Sequence, residues 1–309
     1  MDIDELKNIQ KKAIKNLKIV IISGILLMPT WLILAYFSFK NENEYLLIIS
    51  TIIIFILCLV IDNVYSRKKL NEEFREEYKK TFILSSLNDI FDNLKYFPDS
   101  GLSESVIENT NMMKMGNRYY SNDYFEGEYK GVEFCQSDVC IEKEKTYVDS
   151  DGQIHTSCVT LFKGKWMIFD FNKNFTTNIQ IVHKDFKNSK VSNWLESDKY
   201  KKIEMEDIKF NKEFKVYAQD EHNAFYILTP ILMEKIKHLG DTVFGEFILC
   251  FIDNELHIGL NNGYDSFEHS IYSKIDEEEE KNKISKDIKI ITDFVDELNL
   301  DNKIFKEKA

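Results

Sequence analysis

The sequence predicts an α+β chain: an N-terminal transmembrane helical hairpin, then a mostly antiparallel β cytoplasmic domain with flanking helices. Three observations predict it. Residues 19–39 and 45–61 carry no charged side chain. From Tyr119 onward, apolar residues alternate with period two between glycine and Asp/Asn turns. Short turns join these strands, without the strand–helix rhythm of a parallel sheet.

At ~1.5 Å per residue the two apolar runs reach roughly 31 and 25 Å, about the hydrocarbon thickness of a bilayer. A soluble core helix of that length shows a polar edge, and these show none. The first run is too long for a signal-peptide core and no small-residue cleavage pattern follows it. The second is short, so flanking side chains must snorkel or the bilayer must thin. Lys7, Lys11, Lys12, Lys15 and Lys18 precede the first run, and Arg67, Lys68 and Lys69 follow the second. The connecting loop sets Lys40 against Glu42 and Glu44. The positive-inside rule then places both termini, and residues 71–309, in the cytoplasm.

Outside the basic flanks the chain is strongly acidic, since the net charge of all 309 residues is −12. An acidic body excludes nucleic-acid binding, which needs a basic face, and keeps the body off anionic lipid apart from its Lys/Arg collar. Cys58 lies in the second run, while Cys135, Cys140, Cys158 and Cys250 fall in strands, where free thiols are expected of a cytosolic domain.

Taken in order, residues 1–18 form an amphipathic helix, with Ile3, Leu6, Ile9, Ala13, Ile14 and Leu17 on one stripe. The hairpin follows at 19–61. Residues 62–97 form a juxtamembrane helix on the stripe Leu70, Phe74, Tyr78, Ile83, Leu87, Ile90 or Phe91, and Leu94, with one loose step; Pro98 and Gly101 end it. The two amphipathic helices should pair as a stalk, with Lys7, Lys11 and Lys12 near Glu72, Glu73, Glu76 and Glu77; the alternative is that residues 1–18 lie flat on the membrane as a lysine-rich interfacial helix. Residues 98–270 form the cytoplasmic α+β domain. Ser105 and Glu108 make a capping box for a short helix. Strands are expected over 123–127, 128–134, 139–148 and 154–171, the last bent or bulged at Gly164. Short strands follow at 179–183 and 201–205, then a hairpin of 214–218 with 224–228. A helix capped by Thr229 and opened by Pro230 runs to Leu239, with Gly240 as its stop. Strands 244–252 and 256–260 turn at Asp253–Asn254. Residues 271–309 are an acidic linker, densest at 276–280, and a C-terminal amphipathic helix on Ile284, Ile288, Ile291, Val295 and Leu298.

Chemistry is sparsely signalled. The chain contains no phosphate loop, dinucleotide glycine fingerprint, His-Glu-x-x-His or Gly-x-Ser-x-Gly, and no cofactor is expected. Residues 149–152 begin like a calcium loop but lack its closing glutamate. Cys135, Cys140, His155 and Cys158 are four metal-type residues within one strand region, at spacings that match no common zinc knuckle. Phe162, Trp166, Phe169, Phe171 and Phe175 read as sheet core. Asp123, Glu126 and Asp170, near the glycine-marked strands, are the carboxylates able to converge as catalytic groups.

Several stretches carry a resemblance when taken together: residues 122–127 (NDYFEG) with 129–132 (YKGV), 162–166 (FKGKW) with 169–173 (FDFNK), 214–217 (FKVY), 224–230 (AFYILTP) and Met233–Glu234. Over about residues 70–270 the chain resembles the bacterial membrane proteins grouped as domain of unknown function three-one-three-seven. The resemblance implies a two-span protein of the bacterial cell membrane with a cytoplasmic α+β domain. It implies no activity, cofactor or catalytic residue. The expected function is therefore a membrane-anchored binding or scaffolding protein that meets the lipid bilayer and a protein partner or its own copies. The alternative is a membrane-associated enzyme using the carboxylates of the cytoplasmic domain. Neither run carries a charge to line a transport path.

Overall fold

A computed structural model describes residues 3–41, 44–64, 67–149, 151–170, 178–190, 200–298 and 300. The chain divides into two compact units, Met1–Ser85 with Glu268–Glu280, and Ser86–Phe267 with Lys281–Ala309.

In the first unit, helix α1 (Ile3–Lys40) runs unbroken from the amphipathic start into the apolar run. It is long and apolar enough to cross a membrane, and its most apolar 18-residue window has no residue buried by protein. Helix α2 (Glu44–Val64) packs on it, and Trp31 Nε1–H donates to Thr51 Oγ1 at 3.0 Å. The hydroxyls of Ser23, Thr30, Ser50 and Thr51 each donate to a carbonyl three or four residues back. That satisfies the donors without water. Helix α3 (Arg67–Tyr78) packs on the start of α1, where Leu6, Ile9 and Ala13 are buried, as are Leu70, Phe74 and Tyr78.

The loose step in the expected juxtamembrane helix is a π-helical turn, Lys79–Leu84. Tyr78 and Ile83 are five residues apart, and the i→i+5 winding turns Lys79, Phe82 and Ile83 inward together. A last turn, α4 (Ser85–Asn88), ends the helix. The expectation of helix over 62–97 is corrected beyond it. Strand β1 (Asp92–Phe97) takes the remainder, with Leu94 and Tyr96 half-buried between exposed neighbours. That is a two-residue period, and β1 pairs with the next strand instead of continuing the helix.

The expected acidic linker is also corrected. Asp276 Oδ1 accepts from the backbone N–H groups of Glu278 and Glu279, capping α9 (Glu277–Leu298). Four glutamates occupy its first turn, where the positive end of the helix dipole favours them. In the same unit Gln10 Nε2 donates to the carbonyls of Ile271 and Ser273, and buried Lys79 meets Glu268 at 2.7 Å. His269 stacks on Tyr78 and meets Glu280 at 3.0 Å.

The second unit is built on a nine-stranded sheet in the order β1-β2-β3-β4-β9-β8-β5-β7-β6, every neighbouring pair antiparallel. Strand β2 (Arg118–Tyr129) turns at Lys130–Gly131 into β3 (Val132–Val148). Both turn residues have positive φ, 53° and 78°, so the break falls here and not at Gly127. Strand β4 (Ile154–Asp170) pairs with β3 along its whole length. Strands β5 (Ile179–His183), β6 (Lys201–Ile203) and β7 (Phe214–Ala218) fall near expectation, and β8 (Glu246–Ile252) and β9 (Glu255–Asn261) form the expected hairpin.

Among the described residues, helices α5 to α8 complete this part of the chain. In α5 (Glu104–Asn109) the capping position belongs to Ser103, so Ser105 is the second residue of the helix. Asp207 caps α6 (Ile208–Glu213). The expected strand 224–228 is helical, α7 (Glu221–Ile227): the Asp220 carboxylate accepts from the His222 N–H at 3.1 Å, a local start signal that outweighs the β-prone residues behind it. Asp220→Ala is expected to cost about 1 kcal/mol in a urea melt, with Asp220→Asn near neutral. Thr229 caps α8 (Pro230–Thr242) as expected, but the helix runs through Gly240, which the Phe214 ring overlies. Met233, and not Leu232, joins Ile236 and Leu239 on the buried side.

The core has two layers because strand residues alternate between faces. One face holds Met167, Phe169, Ile258 and Phe247, with Phe294 of α9 edge-on to Phe247 at 5.7 Å. The other holds Ile141, Phe162, Trp166 and Ile248, under Leu102, Ile107 and Met112. The expected aromatic cluster is therefore split across the sheet. Phe171 and Phe175 lie outside the described residues.

Candidate functional site

The end of the sheet near β1 carries an open groove of about 400 Å³. Its floor follows directly from register. Lys95 pairs with Glu126, Glu126 with Cys135, Cys135 with Ile168, and Asp170 with Glu255. These side chains lie on one face of the sheet in two adjacent rows, Lys95–Glu126–Cys135–Ile168 and, two residues along, Asp170–Glu255. Glu128 and Glu133 extend them, so five carboxylates face one lysine, Lys95.

The carboxylates are engaged one by one. Lys95 Nζ lies 2.8 Å from Glu126 Oε1, and Tyr124 O–H donates to Glu126 Oε2 at 2.8 Å. Lys95 first, then Tyr124, hold the Glu126 carboxyl below its usual range. His257 Nε2 lies 3.0 Å from Glu255 Oε2 and lowers that carboxyl likewise. Burial pushes the Cys135 thiol up to about 11, so the free thiol stays protonated at neutral pH.

Of the three carboxylates singled out in sequence, Glu126 and Asp170 share this groove. Asp123 does not: it is buried on the opposite face. It stands at φ 52° in a bulge of β2, with its N–H on Pro98 O and that of Tyr124 on Ser100 O. Its carboxylate accepts from Tyr96 O–H and, at 2.9 Å, from Asn122 Nδ2.

Asp123 belongs instead to a charged cluster, buried except at Asp265, that no sequence motif signals. Carboxylate oxygens of Asp123, Asp138 and Asp265 lie within 4.8 Å of one another. Asp138 faces Lys165 across the β3–β4 ladder, with Lys165 Nζ 3.7 Å from its Oδ1. Asp138 Oδ2 accepts from Ser266 N–H at 2.6 Å, and the Lys165 ammonium sits 4.8 Å from the Phe267 ring centre. Burial raises the Asp138 carboxyl, against the pull of Lys165. Among the described residues neither Asp138 Oδ1 nor Lys165 Nζ has a hydrogen-bond partner. With a buried ammonium already beside Asp138, the cluster reads as a pin that fixes the 262–267 segment to the sheet. The only signal available was polarity at inward strand positions, Gln136 and Asp138 between Phe134 and Cys140.

The four metal-type residues are not brought together. Cys135 pairs with Ile168, Cys140 with Lys163, Cys158 with Glu144 and His155 with Tyr147. At ~3.3 Å per residue, His155 stands roughly 40 Å from the Cys135 end of β4. His155 instead meets Asp149 at 2.6 Å and stacks on Tyr147, and Cys158 Sγ–H donates to Glu142.

The fold and groove define a class: an α+β protein with one long apolar N-terminal helix, an antiparallel sheet and an acidic concave surface. Residues 160–300 match the family model described as Protein of unknown function (DUF3137), the family that the sequence motifs resemble. The motif at 122–132 lies before that stretch, and those from 162 to 234 lie within it. No curated protein matches the chain. A solved structure described as the crystal structure of the mycobacterial trehalose monomycolate transport factor A, TtfA, covers 73% of this chain and 93% of its own. It does so at 10% sequence identity and a TM-score of 0.38, too distant a likeness to carry weight.

Proposed function

We propose that this is a membrane-anchored binding or scaffolding protein whose acidic groove receives a cationic ligand. In this reading residues 19–39 and 45–61 cross the bacterial cell membrane as a helical hairpin, and both termini and the body are cytoplasmic. The apolar composition of α1 and α2 and their lysine-rich flanks support the anchor. The groove itself supports binding over catalysis: Glu126 and Glu255 each have their own cationic or hydrogen-bonding partner, and both are held in the ionised form. A membrane-associated enzyme is the second reading, favoured by Glu126 and Asp170 sharing one groove; it needs one carboxyl raised to act as an acid.

Two measurements test the proposal. Protease added outside intact cells should leave the body whole; trimming there would overturn the topology. A lysine-rich peptide titrated onto the full chain in detergent should bind in a salt-dependent way. Glu133→Lys with Asp170→Asn should abolish that binding, and equal binding to the variant would overturn the groove assignment.

A further inference from the structure

The far halves of β3 and β4 form a two-stranded arm that outruns its neighbours. Strand β2 pairs with β3 only as far as Glu142, and β9 pairs with β4 only from Gly164. Beyond those points β3 and β4 pair with each other alone, out to Val148 and Ile154. At ~3.3 Å per residue the arm extends about 20 Å past the sheet.

Its two edges are finished differently. The β3 edge is closed: Asn117 Nδ2 donates to Glu144 O at 3.0 Å, Asn117 Oδ1 accepts from Glu144 N–H at 2.7 Å, and the Asn117 N–H bonds to Glu142 O. One side chain thus takes the place of a strand. Lys143 and Lys145 and the Arg118–Glu144 pair add charge there. The β4 edge has none of this. Residues 154–160 (IHTSCVT) contain no charge and no proline, and six of the seven are exposed. Among the described residues no strand pairs with them on the side away from β3. Strand edges left bare are pairing surfaces, and proteins that must stay apart guard them with lysine, proline or a bulge.

We propose that two copies of the chain join through this edge, residues 154–160 of each pairing antiparallel about a two-fold axis at Ser157. The stretch is its own complement in that register. Ile154 meets Thr160, His155 meets Val159 and Thr156 meets Cys158, all without like charges opposed. The register uses every residue of the bare stretch. The arm also eases contact between two acidic molecules: Ser157 lies opposite Lys145, about 10 Å beyond the last β2–β3 pair and just over the ~8 Å Debye length at physiological salt. The interface is isologous and closes as a dimer. The proposal concerns a different surface from the groove and stands apart from the ligand reading.

The test uses the full chain in detergent micelles. Ser157→Cys in a Cys158→Ser background should form a disulfide-linked dimer on mild oxidation, because the new thiols meet on the axis. Lys145→Cys in the same background should not. Ser157→Lys, an exposed change that opposes two ammonium groups, should abolish the dimer seen by light scattering and leave the circular dichroism spectrum unchanged. A chain that is monomeric at all concentrations would overturn the proposal. So would a dimer that survives Ser157→Lys, or a Ser157→Cys thiol that links to a different protein and not to its own copy.

Discussion

Lys165→Met is expected to destabilise the second unit by about 3–5 kcal/mol, the cost of leaving a buried charge without its counter-charge. Lys165 and Asp138 are both buried, and among the described residues their ion pair at 3.7 Å and the Ser266 N–H are what offsets the Asp138 charge. Removing the ammonium leaves Asp138 facing Asp123 and Asp265. The double change Asp138→Leu with Lys165→Met should recover much of the loss, because it removes both desolvated charges and fills the space with apolar atoms. A urea melt of the full chain in detergent checks both. A single-variant loss below about 1 kcal/mol would mean that the pair carries no net interaction. The pH dependence fixes the sign independently. Burial already holds the Asp138 carboxyl above its unfolded value, and Lys165 is what restrains it. The folded state therefore binds this proton more tightly than the unfolded chain does, and gains stability as pH falls through the folded value. Without Lys165 the carboxyl rises further, so the variant's deficit should shrink as pH falls from neutral.

Features set by local period or local capping were legible in the sequence. The stripe Ile284, Ile288, Ile291, Val295 and Leu298 is buried along α9, and Thr229 and Pro230 open α8. Asp253–Asn254 turns β8 into β9, with Asp253 at φ 52°. Errors arose where a local signal competed with another. Residues 224–228 are β-prone by composition, yet Asp220 had already started a helix. Residues 92–97 continued a helical stripe, yet found a strand partner in β2. Strand order was not legible, since β4 beside β9 and β5 between β8 and β7 are set by long-range packing. The groove was half legible. Glu126 and Asp170 were singled out together and do share it, but Asp123 was grouped with them in error. Asp123 stands in a bulge of β2, where Asn122 and Phe125, three apart, oppose Asp138 and Gln136 on one face, so spacing alone does not separate Asp123 from Glu126. The meeting of Asp138 and Lys165 was not legible either, because it depends on the β3–β4 register, and that register shifts at Leu161.

The shift at Leu161 also changes what Gly164 does. The sequence placed a bulge or bend at the glycine; the extra residue is three positions earlier, and Gly164 answers a different demand. Its φ is 154°, and a Cβ built on it would lie 2.1 Å from Leu260 O and 2.9 Å from Asn262 Oδ1. Here the end of β9 crosses close to β4: Lys163 N–H donates to Asn261 Oδ1, and Gly263 N–H donates to Lys163 O. Gly164→Ala is expected to cost about 2–4 kcal/mol, from overpacking against backbone that cannot rotate away and from a φ that disfavours a side chain. Gly152→Ala is the control. Gly152 also has positive φ, 78°, but nothing lies within 4 Å of its built Cβ, so only backbone strain of about 1–2 kcal/mol should appear. The difference between the two variants isolates the close approach. Gly164 also precedes Lys165, and the 262–267 segment displaced by the new methyl is the one that carries Ser266 and Phe267 onto the Asp138–Lys165 pair. Gly164→Ala and Lys165→Met should therefore be non-additive, the double variant losing less than the sum of the single losses, by more than the ~0.5 kcal/mol expected of independent sites. Simple additivity in the same urea melts would show that the charged cluster holds the sheet without holding that segment.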